Sequence, residues 1–104
     1  MTRRVVFSPE AQTDIRQLYL FIAERSGDAR AIAYLQRIEV YCLGFTDFPE
    51  RGTRRDDLCP GLRTTGFERR ITIAFTVASD AVTILRILYG GRDLQADFDD
   101  DASF

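Results

Sequence analysis

The sequence predicts an α+β domain in the order β-α-α-β-β-β: an N-terminal strand, an antiparallel helical hairpin and a mainly antiparallel three-strand sheet at the C-terminal end. Three observations carry this. Two apolar stripes at helical spacing, Ala11-Ile15-Leu18-Ile22 and Ala31-Leu35-Ile38-Cys42-Phe45, are separated by little more than Ser26-Gly27-Asp28, too short a connection for anything but an antiparallel pair. From Arg63 onward the period changes to two, with Ile71, Ile73, Phe75 and Val77 alternating with Arg70, Thr72, Ala74 and Thr76, the pattern of a half-buried strand. Ser79-Asp80 then separates that run from VTILRILYGGRD (Val82–Asp93), whose apolar majority reads as the last strand.

Each element has its own local justification. Arg4 to Phe7 is a short strand, and Ser8-Pro9-Glu10 announces the first helix. A serine caps the first amides, a proline fits the first helical position because its missing N–H has no partner there, and Glu10 and Asp14 suit the positive end of the helix dipole. Gly27 closes this helix and Asp28 is expected to cap the next. Leu20, Ala33 and Val40 fall opposite the stripes and are expected to be exposed, while Tyr19 and Phe21 flank the first stripe. Asp47 to Leu62, with two prolines, two glycines and seven charged residues, reads as an irregular loop in which Pro60-Gly61 suits the centre of a type II turn. Arg51, Arg54 and Arg55 cluster there among Glu50, Asp56 and Asp57, equally consistent with a solvated, internally paired loop and with an anion site. Arg63 to Phe67 supplies a further strand. A two-residue tip at Ser79-Asp80 sets Val77 opposite Val82, Phe75 opposite Ile84, Ile73 opposite Arg86 and Arg70 opposite Tyr89.

The composition bounds the chemistry. The chain has 104 residues, enough for one core, and residues 1–93 read as a single domain followed by an acidic tail, 94–104. No apolar run is long enough to span a membrane, and no signal-peptide segment opens the chain, so the cytoplasm is the expected compartment. All fourteen basic residues are arginine, with no lysine and no histidine. That removes the commonest general base near neutral pH along with Schiff-base and P-loop chemistry. Residues 1–92 carry 14 Arg against 11 acids, or +3, and residues 93–104 carry five Asp, or −5. This split suits either a screened basic surface or a solubilising end. Cys42 and Cys59 lie seventeen positions apart with no further ligands at metal-site spacing, so no metal and no cofactor is expected, and Cys42 reads as an inert core residue.

A charged residue inside a strand needs a partner when buried, so Arg86 is expected to meet an acid or a carbonyl beneath the sheet. Tyr89 reads as a packing residue with a satisfied hydroxyl. Arg92, after Gly90-Gly91, is the least crowded cation and the first functional candidate.

Together, SPEAQTDIRQLYLFIAE, the middle FPERGTRRDDLCPGLR and the final VTILRILYGGRD, in this order from Val5 to about Asp93, resemble the ParE-type toxins of the RelE/ParE toxin–antitoxin superfamily. The chain departs from many relatives in having Tyr89 where they have histidine. The resemblance implies a small cytoplasmic bacterial toxin, of the kind linked to plasmid stabilisation, held inactive by a cognate ParD-like antitoxin. It implies DNA gyrase as the target and no enzymatic activity. The expected assembly is a homodimer or a toxin–antitoxin hetero-oligomer, with no sequence-specific nucleic-acid binding and no membrane partner. The gyrase-facing candidates are Arg54, Arg55, Arg63, Tyr89 and Arg92; the antitoxin-facing candidates, from angular position on the helices, are Leu20, Phe21, Ala33 and Val40. A RelE-like ribosome-dependent mRNA endoribonuclease is the alternative, with Arg63, Arg86, Tyr89 and Arg92 as its catalytic set. Cleavage by 2′-OH attack needs a base, a phosphate-binding cation and an acid, and a ribosome binder is expected to be strongly basic; this chain has neither lysine nor a basic balance. A family member that has lost toxicity but still binds its antitoxin is a third reading that the residues leave open.

Overall fold

The computed structural model describes residues 3–90. Within them β1 (Arg4–Phe7) leads to α1 (Pro9–Ser26) and α2 (Asp28–Leu43), a single 3₁₀ turn (Gly44–Thr46), and then β2 (Thr53–Arg54), β3 (Leu62–Phe67), β4 (Ile71–Val77) and β5 (Ala81–Tyr89). The strands form one sheet in the order β1-β5-β4-β3-β2. All pairings are antiparallel except β1 with β5, which runs parallel with Arg4 opposite Ala81 and Phe7 opposite Ile84. The α+β class and the order of elements are as the sequence predicts. The sheet, however, has five strands, because the N-terminal strand joins the C-terminal three and a fifth pairs at the far edge.

That fifth strand corrects the reading of residues 47–62 as wholly irregular. Thr53 and Arg54 pair with Thr64 and Arg63, and Gly52 lets the strand approach, since a Cβ there would sit 2.1 Å from the Thr64 carbonyl oxygen. The Pro60-Gly61 turn forms as expected: the Leu62 N–H donates to the Cys59 carbonyl at 3.0 Å and Gly61 has φ +80°. Asp28 is also reassigned. It is the first residue of α2, whose cap Gly27 makes no side-chain bond to the helix, and its carboxylate instead accepts from the Tyr19 hydroxyl at 3.1 Å.

The β4–β5 register follows the predicted pairs at the tip, Val77 with Val82 and Phe75 with Ile84, and then slips. Ala74 faces Arg86, Ile73 faces Ile87 and Ile71 faces Tyr89, with the irregularity between Ala74 and Phe75. The expected pairs Ile73–Arg86 and Arg70–Tyr89 are each off by one because Leu85 is an extra residue, a β-bulge. The bulge coincides with the end of β1, whose last partner on β5 is Ile84. Beyond it α1 takes over the edge of β5. The Ser8 hydroxyl, which caps α1 by accepting from the Ala11 N–H at 3.0 Å, donates to the Leu85 carbonyl at 2.8 Å. Asp14 accepts from the Ile87 N–H at 2.9 Å and holds the Arg86 guanidinium through two bonds of 2.9 and 3.1 Å. Arg86 thus meets the acid its burial requires. Asp14, expected near the helix dipole, is instead the buried carboxylate that fixes α1 to β5.

The core lies between the hairpin and one face of the sheet. Ala11, Leu18, Ile38, Cys42 and Phe45 meet Ile71, Ile73, Phe75, Val82, Ile84 and Ile87. A run of aromatic contacts follows α2 across β3 and β4: Tyr34 on Phe67, Phe67 on Tyr41, Tyr41 on Phe45 and Phe45 on Phe75, with centroids 4.6–6.1 Å apart. Such tilted and edge-to-face pairs add directional packing to area burial. Burial pushes the Cys42 thiol up to about 12, which keeps it protonated and unreactive.

Candidate functional site

A concavity opens where the α1–α2 connection meets the end of the sheet. It is a cleft of about 470 Å³ bounded by Phe21 and Arg25 of α1, Arg30 and Tyr34 of α2, Arg70 of the β3–β4 turn and Tyr89 of β5. The chain builds it from local rules. Arg30, Tyr34 and Arg37 are spaced by four and three along α2 and so share one face. The β3–β4 turn is made by Glu68 and Arg69, with φ of 50° and 65°, and the Arg70 carbonyl accepts from the Gly90 N–H at 2.9 Å. That bond holds the turn against the end of β5.

The walls are cationic and aromatic. Phe21 stacks on Tyr89 with centroids 5.0 Å apart, and the Arg25 guanidinium lies 3.7 Å over the Phe21 ring. Arg37 forms a two-bond pair with Glu68 at 3.0 and 3.1 Å, which raises the Arg37 pKa, and covers the Tyr34 ring. Burial raises the Tyr34 pKa, with Glu68 contributing, and the Tyr34 hydroxyl has no hydrogen-bond partner among the described residues. Arg70 reaches the Tyr89 hydroxyl at 3.5 Å. Neither Arg25, Arg30 nor Arg70 has a carboxylate partner among the described residues.

The residues expected to face the target fall into two groups. Arg54 and Arg63 pair across β2 and β3 at the outer edge of the sheet. The adjoining loop is internally paired: Arg54 with Asp56 at 3.0 Å and Arg55 with Asp57 at 3.1 Å. The backbone N–H of Gly61, followed by Arg54, holds the Asp56 carboxyl below the usual range; Arg55 does the same for Asp57. Arg51 covers Phe45 and Tyr41, and Arg63 reaches the Arg51 carbonyl at 3.5 Å. Tyr89 belongs to the cleft instead. It pairs with Ile71, whereas Arg63 pairs with Phe75. At about 3.3 Å per residue along a strand and about 4.8 Å between strands, the two are separated by roughly 16 Å. Arg92 lies outside the described residues.

The antitoxin-facing candidates sit on the hairpin. Leu20 and Val40 are exposed, 60% and 69%, and Ala33 is exposed at the rim of the cleft. Phe21 is half-buried by its stack on Tyr89. Four further exposed apolar residues escaped the sequence reading, Val6 on β1 and Ile32, Leu43 and Phe48. Ile32 and Val40 are eight residues apart on α2, a spacing that would have revealed their common face. Among the described residues there is no cluster of three or more metal-ligating side chains, and no helix is long and apolar enough to cross a membrane.

Comparison with known proteins decides the family. Residues 5–94 match the model of the ParE toxin of the type II toxin–antitoxin system parDE. The chain belongs to the ParE toxin family. It is similar to Toxin ParE3 of Caulobacter vibrioides, 33% identical over 93 residues that cover 89% of this chain and 92% of that protein. Among solved structures it is similar to a chain of the chromosomal ParDE system from P. aeruginosa, with a TM-score of 0.74 at 23% identity, covering 86% of this chain and 97% of that one. A more distant likeness of fold reaches a chain of the E. coli DinJ-YafQ toxin–antitoxin complex, with a TM-score of 0.51 at 11% identity and coverages of 86% and 93%. This ParE toxin therefore presents an Arg-aromatic cleft at the end of its hairpin and a separate, internally paired basic edge.

Proposed function

We propose that this ParE-family toxin acts in the bacterial cytoplasm by binding and inhibiting DNA gyrase, and that a ParD-like antitoxin neutralises it by covering the outer side of the helical hairpin. The observation that supports inhibition over RNA cleavage is the disposition of the cations. A nuclease must gather a base, a phosphate-binding cation and an acid around one phosphate. Of the residues that would form such a set, Arg86 is committed to Asp14 by two hydrogen bonds, and Arg63 stands two strands away from Tyr89.

In the gyrase reading, Tyr89 and Arg92 provide the gripping end, with Arg63 and the Arg54–Arg55 loop as an outlying patch whose charge is already largely matched by Asp56 and Asp57. On the antitoxin side Leu20, Ala33 and Val40 are available as apolar contacts, with Phe21 at the cleft wall; helices that dock on partners use contacts at such spacing.

The test is to add the purified toxin to DNA gyrase with supercoiled plasmid and, separately, to translating ribosomes with a defined mRNA. Accumulated gyrase-linked DNA breaks with intact mRNA are expected. Arg92→Glu should abolish the breaks while leaving the melting temperature within a degree or two. Site-specific mRNA cuts with gyrase unaffected would overturn the reading.

A further inference from the structure

The cleft at the end of the hairpin carries positive charge that the rest of the described fold does not compensate. Arg25, Arg30 and Arg70 converge on it without a carboxylate partner among the described residues, and Glu68 is taken up by Arg37. Three unmatched guanidinium groups around about 470 Å³ of partly apolar space make a concave positive potential. Guanidinium forks favour carboxylates, which they bind through paired, charge-assisted hydrogen bonds. The aromatic walls and the unpaired Tyr34 hydroxyl add a place for a ring and a polar contact.

The chain itself supplies the complementary chemistry close by. Residues 93–104, DLQADFDDDASF, hold five aspartates, two phenylalanines and no basic residue, and they begin four positions after Tyr89, which lines the cleft. We propose that the cleft is the docking site of this chain's own acidic segment, residues 93–104, with aspartates on Arg25, Arg30 and Arg70 and a phenylalanine against the aromatic wall. The segment's −5 answers the +3 of residues 1–92. Length is not limiting: at up to about 3.4 Å per residue, the seven residues from Gly90 to Asp97 reach roughly 24 Å. Occupation in cis requires only local ordering, because the covalent link replaces the translational cost of association with a high effective concentration. The inference is independent of whether the toxin's target is gyrase, and it predicts a surface shared between self-contact and partners, since Phe21, Ala33 and Tyr89 all border the cleft.

The experiment uses the full chain with Cys59→Ser and Ser103→Cys, carrying a nitroxide on residue 103; buried Cys42 does not react. In about 0.05 M salt the amide signals of Ala33, Tyr34 and Arg70 should lose more than half their intensity, while those of Thr53 and Thr64 at the far edge keep theirs. Raising the salt to about 1 M, where the screening length is about 3 Å, should restore them, as should Arg30→Glu combined with Arg70→Glu in a chain whose spectrum remains dispersed. Broadening no greater at the cleft than at Thr53 and Thr64, or unchanged by the charge reversals, would overturn the proposal. So would broadening that arises only between molecules, seen by mixing isotope-labelled chain with spin-labelled unlabelled chain, because the occupant would then be a second copy.

Discussion

Replacing Asp14 with alanine tests the contact that locks the first helix to the last strand. The Asp14 and Arg86 side chains are 6% and 14% exposed, so solvent screens the pair little, and the carboxylate receives three hydrogen bonds, two from Arg86 and one from the Ile87 N–H. Removing one partner of a buried ion pair costs about 3–5 kcal/mol, because the remaining charge stays desolvated. The Ile87 N–H loses its acceptor as well, and an unsatisfied buried donor costs about 1–3 kcal/mol, part of which overlaps the first figure. We expect a total of about 4 kcal/mol, against a whole-domain stability on the order of 5–15 kcal/mol. Urea unfolding followed by far-UV circular dichroism should show a much lower midpoint with an unchanged slope, and the melting temperature should fall by at least roughly 12 °C. Arg86→Met in the Asp14→Ala background should recover part of the loss, since it removes the largely buried cation that Asp14 no longer neutralises. A loss below about 1 kcal/mol for Asp14→Ala, or strict additivity in the double variant, would refute the coupling, because residues in one buried network are expected to be non-additive.

Gly52→Ala should detach β2 from β3: the added Cβ would meet the Thr64 carbonyl oxygen at 2.1 Å, and φ is +76°. Faster amide exchange at Thr53 and Thr64, with the β4–β5 amides unaffected, is the expected readout. The Asp56 carboxyl is lowered first by the Gly61 N–H and then by Arg54, so its contribution to loop order is present above the ordinary aspartate range and is lost as pH falls through the depressed folded value. The Gly61 amide shift should therefore titrate with a midpoint below that of an unperturbed aspartate, and Arg54→Gln should move that midpoint upward. Leu20→Asp and Val40→Asp alter exposed side chains; each should leave the melting temperature within about 2 °C while weakening antitoxin binding in calorimetry by at least tenfold. Unaltered affinity in both would remove the hairpin's outer side as the antitoxin's contact.

Local chemistry made the elements readable. Ser8-Pro9 begins α1, Gly27 ends it, and Ser79-Asp80 lies at the β4–β5 tip, because caps and turns act over a few residues. The bulge at Leu85 was hidden because it answers to a tertiary event, the end of β1 and the start of α1's hold on β5. Its one local sign was a charged Arg86 in an apolar strand, which foretold a partner but not the slip in register. β2 was missed for the same reason: two residues have no period of their own and exist by pairing with β3. At the site, Tyr89 and Arg63 looked adjacent because both belong to the sheet, yet strand order is not written in any short stretch. The cleft was within reach, since Arg30, Tyr34 and Arg37 share a helical face, but no local pattern joins that face to Arg70, which reads as part of a strand.

The parallel pairing of β1 with β5 bears on the order in which the chain becomes a folded molecule during synthesis. Among the described residues Arg4–Phe7 finds its strand partner in Ala81–Ile84, and α1 is secured through Ser8 and Asp14 to Leu85, Arg86 and Ile87. Until the ribosome has released those residues, the first quarter of the chain has no sheet to rest on, and its helices can only hold each other. Contacts spanning more than 70 residues also close slowly. The nascent chain therefore passes through a stage in which its two apolar helices have been made and the strand that α1 rests on has not.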